Sequence, residues 1–79
     1  MTTLPADEDY AKAILAIFHA KGVRPRQTLN AEQVKIEFVT RRMGRQPDYE
    51  AGLEYAMNRN WLTLELDRIR LTEAGLDEA

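Results

Sequence analysis

Three stretches of this chain repeat their apolar residues at helical spacing, and a fourth repeats them at every second position. From Ala6 to Lys21, Tyr10, Ile14, Ile17, Phe18 and the aliphatic stem of Lys21 share one helical face, flanked by Ala13 and Leu15. Asp7, Glu8 and Asp9 fall in the first turn, where the helix dipole favours negative charge, and Gly22 follows as a terminator. These carboxylates are read as dipole partners rather than as metal or substrate ligands.

Val23 to Leu29 reads as an ordered connector. A second helix opens at Asn30, a capping residue, with Gln33 placed as in a capping box and Leu29 and Val34 at the two positions of a hydrophobic staple. Val34 and Phe38, with Ile36 and Val39, are its expected buried side. It is expected to end near Met43, with Gly44 in the left-handed conformation. Gly44, Arg45 and Gln46 then form a three-residue turn into a third helix over about 47–59, begun by Pro47. A glycine-containing turn of that length is a helix-turn-helix connection. Tyr49, Leu53, Ala56 and Met57 make the inward stripe, Gly52 permits close packing, and Asn60 is the stop.

Beyond Asn60 the period changes from helical to alternating. Leu62, Leu64 and Leu66 alternate with Thr63 and Glu65, and Ile69 and Leu71 with Arg68, Arg70 and Thr72. A turn at Asp67 and Arg68 pairs Leu66 with Ile69, Glu65 with Arg70, Leu64 with Leu71, and Thr63 with Thr72. That register puts every apolar residue on one face and sets opposite charges across the ladder. Asp-Arg is not a favoured turn pair, so a wider loop with the same register is the variant.

Trp61-Leu62 after a helix, a short hairpin, and Leu71-Thr72-Glu73-Ala74-Gly75-Leu76 closing it together resemble the winged helix-turn-helix superfamily of bacterial transcription regulators. The "L-T-x-x-G" ending of the second wing strand is frequent in that group, and the resemblance covers about residues 29–76. It implies a mainly α, α+β fold of three helices and a two-stranded antiparallel wing. One domain is expected at 6–76, with short tails at 1–5 and 77–79. Members of the superfamily bind DNA or serve as protein-interaction modules, so the fold does not choose between them.

Composition narrows the chemistry. The chain has no cysteine, a single histidine (His19) and no serine, which leaves no thiolate zinc site, no histidine relay and no usual nucleophile. His19 near the end of the first helix suits the dipole there. No glycine-rich phosphate loop is present. The expectation is a protein that is not an enzyme, has no cofactor or small-molecule ligand, and is not membrane-bound; cytoplasmic is the default location. Trp61, Met43 and Met57 are read as packing residues.

Charge is unevenly placed although the formal net value is −2. Acids crowd both ends, whereas Lys21, Arg24, Arg26, Lys35, Arg41, Arg42 and Arg45 face only Glu32 and Glu37 in the middle. The third helix, as a recognition helix in the major groove, would turn out Asp48, Ala51, Glu54, Tyr55 and Asn58. The candidate contacts to double-stranded DNA are Gln46, Tyr55 and Asn58, with Arg41, Arg42, Arg45, Arg68 and Arg70 clamping the backbone. Against this, Asp48, Glu50 and Glu54 lie on the same helix and repel phosphate. The alternative is an interaction module that meets a basic protein partner through an acidic third-helix face and Tyr55. A homodimer is also weighed, with the first helix or the C-terminal segment as its contact.

Overall fold

In the computed structural model, which describes residues 6–78, the chain forms four helices and three strands. In order these are α1 (Asp7–Ala20), β1 (Thr28–Asn30), α2 (Ala31–Thr40), α3 (Gln46–Asn58), β2 (Leu62–Glu65), β3 (Arg68–Leu71) and α4 (Glu73–Glu78). The architecture is α+β and mainly helical, with one antiparallel sheet of order β1-β3-β2. The expected three helices and two strands are therefore too few. Part of the presumed connector is β1, and Glu73–Glu78, running into the presumed C-terminal tail, is α4. The expected tail at 1–5 lies outside the described residues. Among the described residues, no helix is long and apolar enough to cross a membrane.

The helix starts follow a simple local chemistry. Asn30 caps α2 by accepting from the Gln33 N–H at 3.2 Å. α1 and α3 have no capping side chain at their first boundary. Instead Asp9 and Asp48 reach back to accept from the N–H groups of Ala6 (3.0 Å) and Arg45 (2.9 Å).

α1, α2 and α3 all end in the same way. The chain turns through a left-handed residue at Gly22, Arg42 and Asn60 (φ 68°, 58° and 63°). The next N–H then closes back on Phe18, Phe38 and Ala56 respectively, at 3.1, 3.1 and 2.8 Å. Gly22 and Asn60 stop their helices as the sequence suggests. α2 stops earlier than expected, at Thr40, and it is Arg42 rather than Gly44 that takes the left-handed conformation. The α2–α3 connection is thus residues 41–45, longer than three. Gly44 has a different purpose: a Cβ there would lie 2.8 Å from the Phe38 ring.

The core lies where α1 crosses α3 over the sheet. At Gly52 the backbones come so close that a Cβ would meet Tyr10 and Ala11 at 2.7–2.9 Å. Phe38 sits edge-on between Tyr10 and Tyr49, with ring centroids 6.2 and 5.8 Å apart. Ile14, Leu15, Ile17 and Phe18 from α1, Val34 from α2, and Leu62, Ile69 and Leu71 from the sheet complete it. Ile36 and Val39, expected inside, are 53% and 43% exposed.

The hairpin register differs from the expected one by two residues. Leu62 pairs with Leu71, Thr63 with Arg70, Leu64 with Ile69 and Glu65 with Arg68, so the turn is Leu66-Asp67. A shift of two keeps each side chain on its face, so the alternation is satisfied equally well. Glu65 and Arg70 still form an ion pair, at 2.7 Å, but diagonally. Leu66 leaves the apolar face altogether: it is 98% exposed, with φ 56°.

The β3–α4 junction gives the Leu71-Thr72-x-x-Gly75 signature a physical meaning. The Thr72 hydroxyl lies 2.7 Å from the Asn60 carbonyl oxygen and 2.8 Å from that of Trp61, and accepts from the Gly75 N–H at 3.0 Å. Thr72 thereby caps α4 and ties it to the end of α3. A Cβ on Gly75 would stand 2.2 Å from the Trp61 carbonyl oxygen, so no other residue fits without a shift. Trp61 itself is buried at this junction, its ring 5.7 Å from that of Tyr55.

Candidate binding interface

The solvent face of α3 is built from positions four residues apart. Gln46, Glu50, Glu54 and Asn58 are all exposed along it. Ala51 and Asp48 are half-buried, and Asp48 is committed to the Arg45 N–H. Two carboxylates, Glu50 and Glu54, therefore occupy the middle of the helix face.

Tyr55 does not belong to that face. Its hydroxyl donates to Glu8 of α1 at 3.3 Å and accepts from the Arg59 Nε–H at 3.1 Å. The Arg59 guanidinium also lies 5.4 Å from the ring centroid, a cation–π contact. The expectation that Tyr55 points outward is corrected by this turn toward α1. Of the three candidates on α3, Gln46 and Asn58 remain exposed.

The five candidate arginines fall into two groups rather than one. Arg41, Arg42 and Arg45 lie at the α2–α3 connection. Arg68 and Arg70 lie on β3, alternating with core residues Ile69 and Leu71 and so facing solvent. Arg68 pairs with Asn30, the cap of α2, so the length of α2 separates the groups, about 15 Å at 1.5 Å per residue.

Several of these charges are already engaged. Arg41 approaches Glu37 at 3.7 Å, and Glu37 is held more closely by Lys21 at 2.9 Å. The hydrogen bond from Lys21 keeps the Glu37 carboxyl below the usual carboxylate range, against a smaller opposing effect of burial. Arg70 is taken by Glu65, and Arg68 reaches the Thr28 hydroxyl at 3.5 Å. Among the described residues, Arg42 and Arg45 are exposed and make no ion pair.

A second acidic feature was not legible in the sequence. The Tyr49 hydroxyl donates to the Ala31 carbonyl oxygen at 3.2 Å, and the Ala31 N–H donates to the Asp67 carbonyl oxygen at 2.7 Å. These bonds draw the start of α2, the first turns of α3 and the hairpin tip together. Burial pushes the Tyr49 phenol up to about 12, with Glu32 and Glu50 adding to the effect. Glu32, itself paired with Lys35 at 3.0 Å, and Glu50 thus both lie near the Tyr49 phenol. Only the long-range hydrogen bonds, which local periodicity does not encode, bring them together.

Among the described residues, no group of three or more metal-ligating side chains is placed to hold an ion. The chain matches no known family, characterised protein or solved structure.

Proposed function

We propose that this chain is a winged-helix binding module whose α3 face docks a basic protein surface. The order α1, α2, α3 and then the β2–β3 hairpin supports the winged-helix reading, as does the role of Thr72 and Gly75 in closing it. The observation that carries the partner class is the pair Glu50 and Glu54, exposed at the centre of the α3 face. Carboxylates there repel a phosphate backbone and attract lysine and arginine. Glu32, beside the start of α3, is by contrast paired with Lys35 at 3.0 Å.

A second reading is favoured by one observation. Arg42 and Arg45 are exposed beside Gln46 at the start of α3, where a transcription-regulator-like protein would approach DNA. In that reading the exposed Asn58 adds a contact, and Arg41, Arg68 and Arg70 leave Glu37, Thr28 and Glu65 respectively to reach the duplex.

One pair of titrations separates the two. An arginine-rich peptide added to isotopically labelled protein is expected to shift the amide resonances of Gln46, Glu50, Glu54 and Asn58, and the double substitution E50Q/E54Q to remove most of the effect. A labelled random-sequence duplex is expected to show no anisotropy change even at low salt. Duplex binding that weakens steeply with added salt would overturn the protein-partner reading and establish the DNA one.

A further inference from the structure

A cleft of about 410 Å³ opens where the loop at Pro25 and Arg26, the residue Asn60 beyond α3, and the β3–α4 junction meet. That volume falls in the range of small-molecule sites. Its walls come from three separated segments, so no local motif announces it. Arg26, Arg70 and Asn60 bring two guanidinium groups and a carboxamide to the lining. Among the described residues, Arg26 makes no ion pair, and Asn60 is bonded through its main chain alone. Arg70 is tied to Glu65 through Nη2, which orients the guanidinium and leaves its other N–H groups unspent among the described residues. Glu73 is the one acid in the lining.

Main-chain bonds fix the frame that carries these groups. The Arg26 N–H donates to the Leu71 carbonyl at 2.9 Å, and the Leu71 N–H donates to the Gln27 carbonyl at 3.1 Å. Arg24 and Gln27 close the loop on each other: the Arg24 N–H donates to the Gln27 side chain at 2.9 Å, and the Gln27 N–H to the Arg24 carbonyl at 3.0 Å. Arg26 is thereby kept in the left-handed region (φ 76°), which a long side chain adopts only under constraint. Three donors are presented from three segments on a preorganised backbone.

We infer that this cleft binds the phosphate group of a small phosphomonoester. Guanidinium groups pair with phosphate and carboxylate alike, but a tetrahedral phosphate dianion offers three oxygens to three separate donors, whereas a planar carboxylate offers two. Pro25 and Ala74 give the rest of the molecule an apolar wall, and the volume leaves room for it. None of these groups belongs to the solvent face of α3, so the inference stands or falls separately from the protein partner proposed there.

Phenyl phosphate titrated into the isotopically labelled intact protein tests this, at constant ionic strength and about pH 7.5, where the phosphate is mostly dianionic. Saturable shifts are expected at the amides of Arg26, Asn60, Arg70 and Ala74. Inorganic phosphate is expected to move the same set, and acetate and dimethyl phosphate, each singly charged, to bind more weakly than phenyl phosphate. Arg26→Gln and Arg70→Gln are each expected to weaken binding by about fivefold or more, with unchanged far-ultraviolet spectra. Lys12→Gln removes the same charge from exposed α1 surface and is expected to leave binding unchanged. Shifts that are absent, fail to saturate, or survive Arg26→Gln overturn the proposal, as does an equal loss in Lys12→Gln. Dimethyl phosphate binding as tightly as phenyl phosphate also overturns it, and would make the cleft a seat for backbone phosphodiesters.

Discussion

Leu62 and Leu66 belong to one alternating run, and the structure treats them in opposite ways. Leu62, at the base of the hairpin, is 1% exposed where β2 meets α3, while Leu66 at the tip is 98% exposed. The base is also covalently quiet but densely bonded: Thr72 holds two carbonyls and an N–H, and Gly75 presses on Trp61. The tip is held to the rest of the protein by the Asp67 carbonyl accepting from Ala31. Identical residue types at matching positions of a pattern thus acquire different roles from what lies over the sheet. A strand is buried where a helix covers it, and the pattern only makes it eligible.

The contrast can be broken most severely at the base. Leu71→Ala empties a fully buried site and is expected to cost about 2–5 kcal/mol, read as a lowered chemical-denaturation midpoint. For a chain of this size that approaches the whole of its stability. Gly75→Ala forces the Trp61 carbonyl aside and is expected to cost about 1–3 kcal/mol by the same measurement. If Gly75→Ala proves neutral, the close approach at the base does not hold the hairpin.

A titration sharpens the comparison at the link between α3 and the tip. Tyr49 carries a folded-state value near 12, above its ordinary 10.0, so folding favours the neutral phenol. Its contribution to stability is complete below pH 10 and is lost as pH rises through 12. Denaturation midpoints measured from pH 9 to 12 are expected to fall in that window, and to fall less in Tyr49→Phe. Equal falls in both proteins would remove Tyr49 from the account.

The smallest expected change is at the tip and has the opposite sign. Leu66 holds a left-handed backbone with its side chain in water. Leu66→Gly relieves that conformation and is expected to stabilise by about 0.5–1 kcal/mol, after the extra freedom glycine has in the unfolded chain is discounted. A drop in melting temperature would mean that Leu66 contributes to the fold after all.

How much of this was legible depended on how local each feature is. The cap at Asn30, the stops at Gly22 and Asn60 and the inward stripe of α3 are set by neighbours in sequence, and they read correctly. β1 was missed because three residues carry no periodicity, and their pairing partner, Arg68–Arg70, lies forty positions away. The hairpin register escaped because alternation is blind to a shift of two. Ile36 and Val39 read as buried because apolar spacing does not say whether a neighbour exists to cover them. At the candidate interface the acidic positions of α3 were visible. Tyr55 was misplaced because its hydrogen bond to Glu8 acts across the α1–α3 contact.

The chain carries a single tryptophan, Trp61, and its place gives the protein a built-in reporter. Its ring is shielded from water beside Tyr55, and its carbonyl is the point on which Gly75 and Thr72 bear. Its emission therefore registers whether α4 is seated, separately from the circular-dichroism signal of the longer helices. A red shift that precedes the loss of helicity on heating would mark the C-terminal segment peeling away first. No label needs to be introduced to see it.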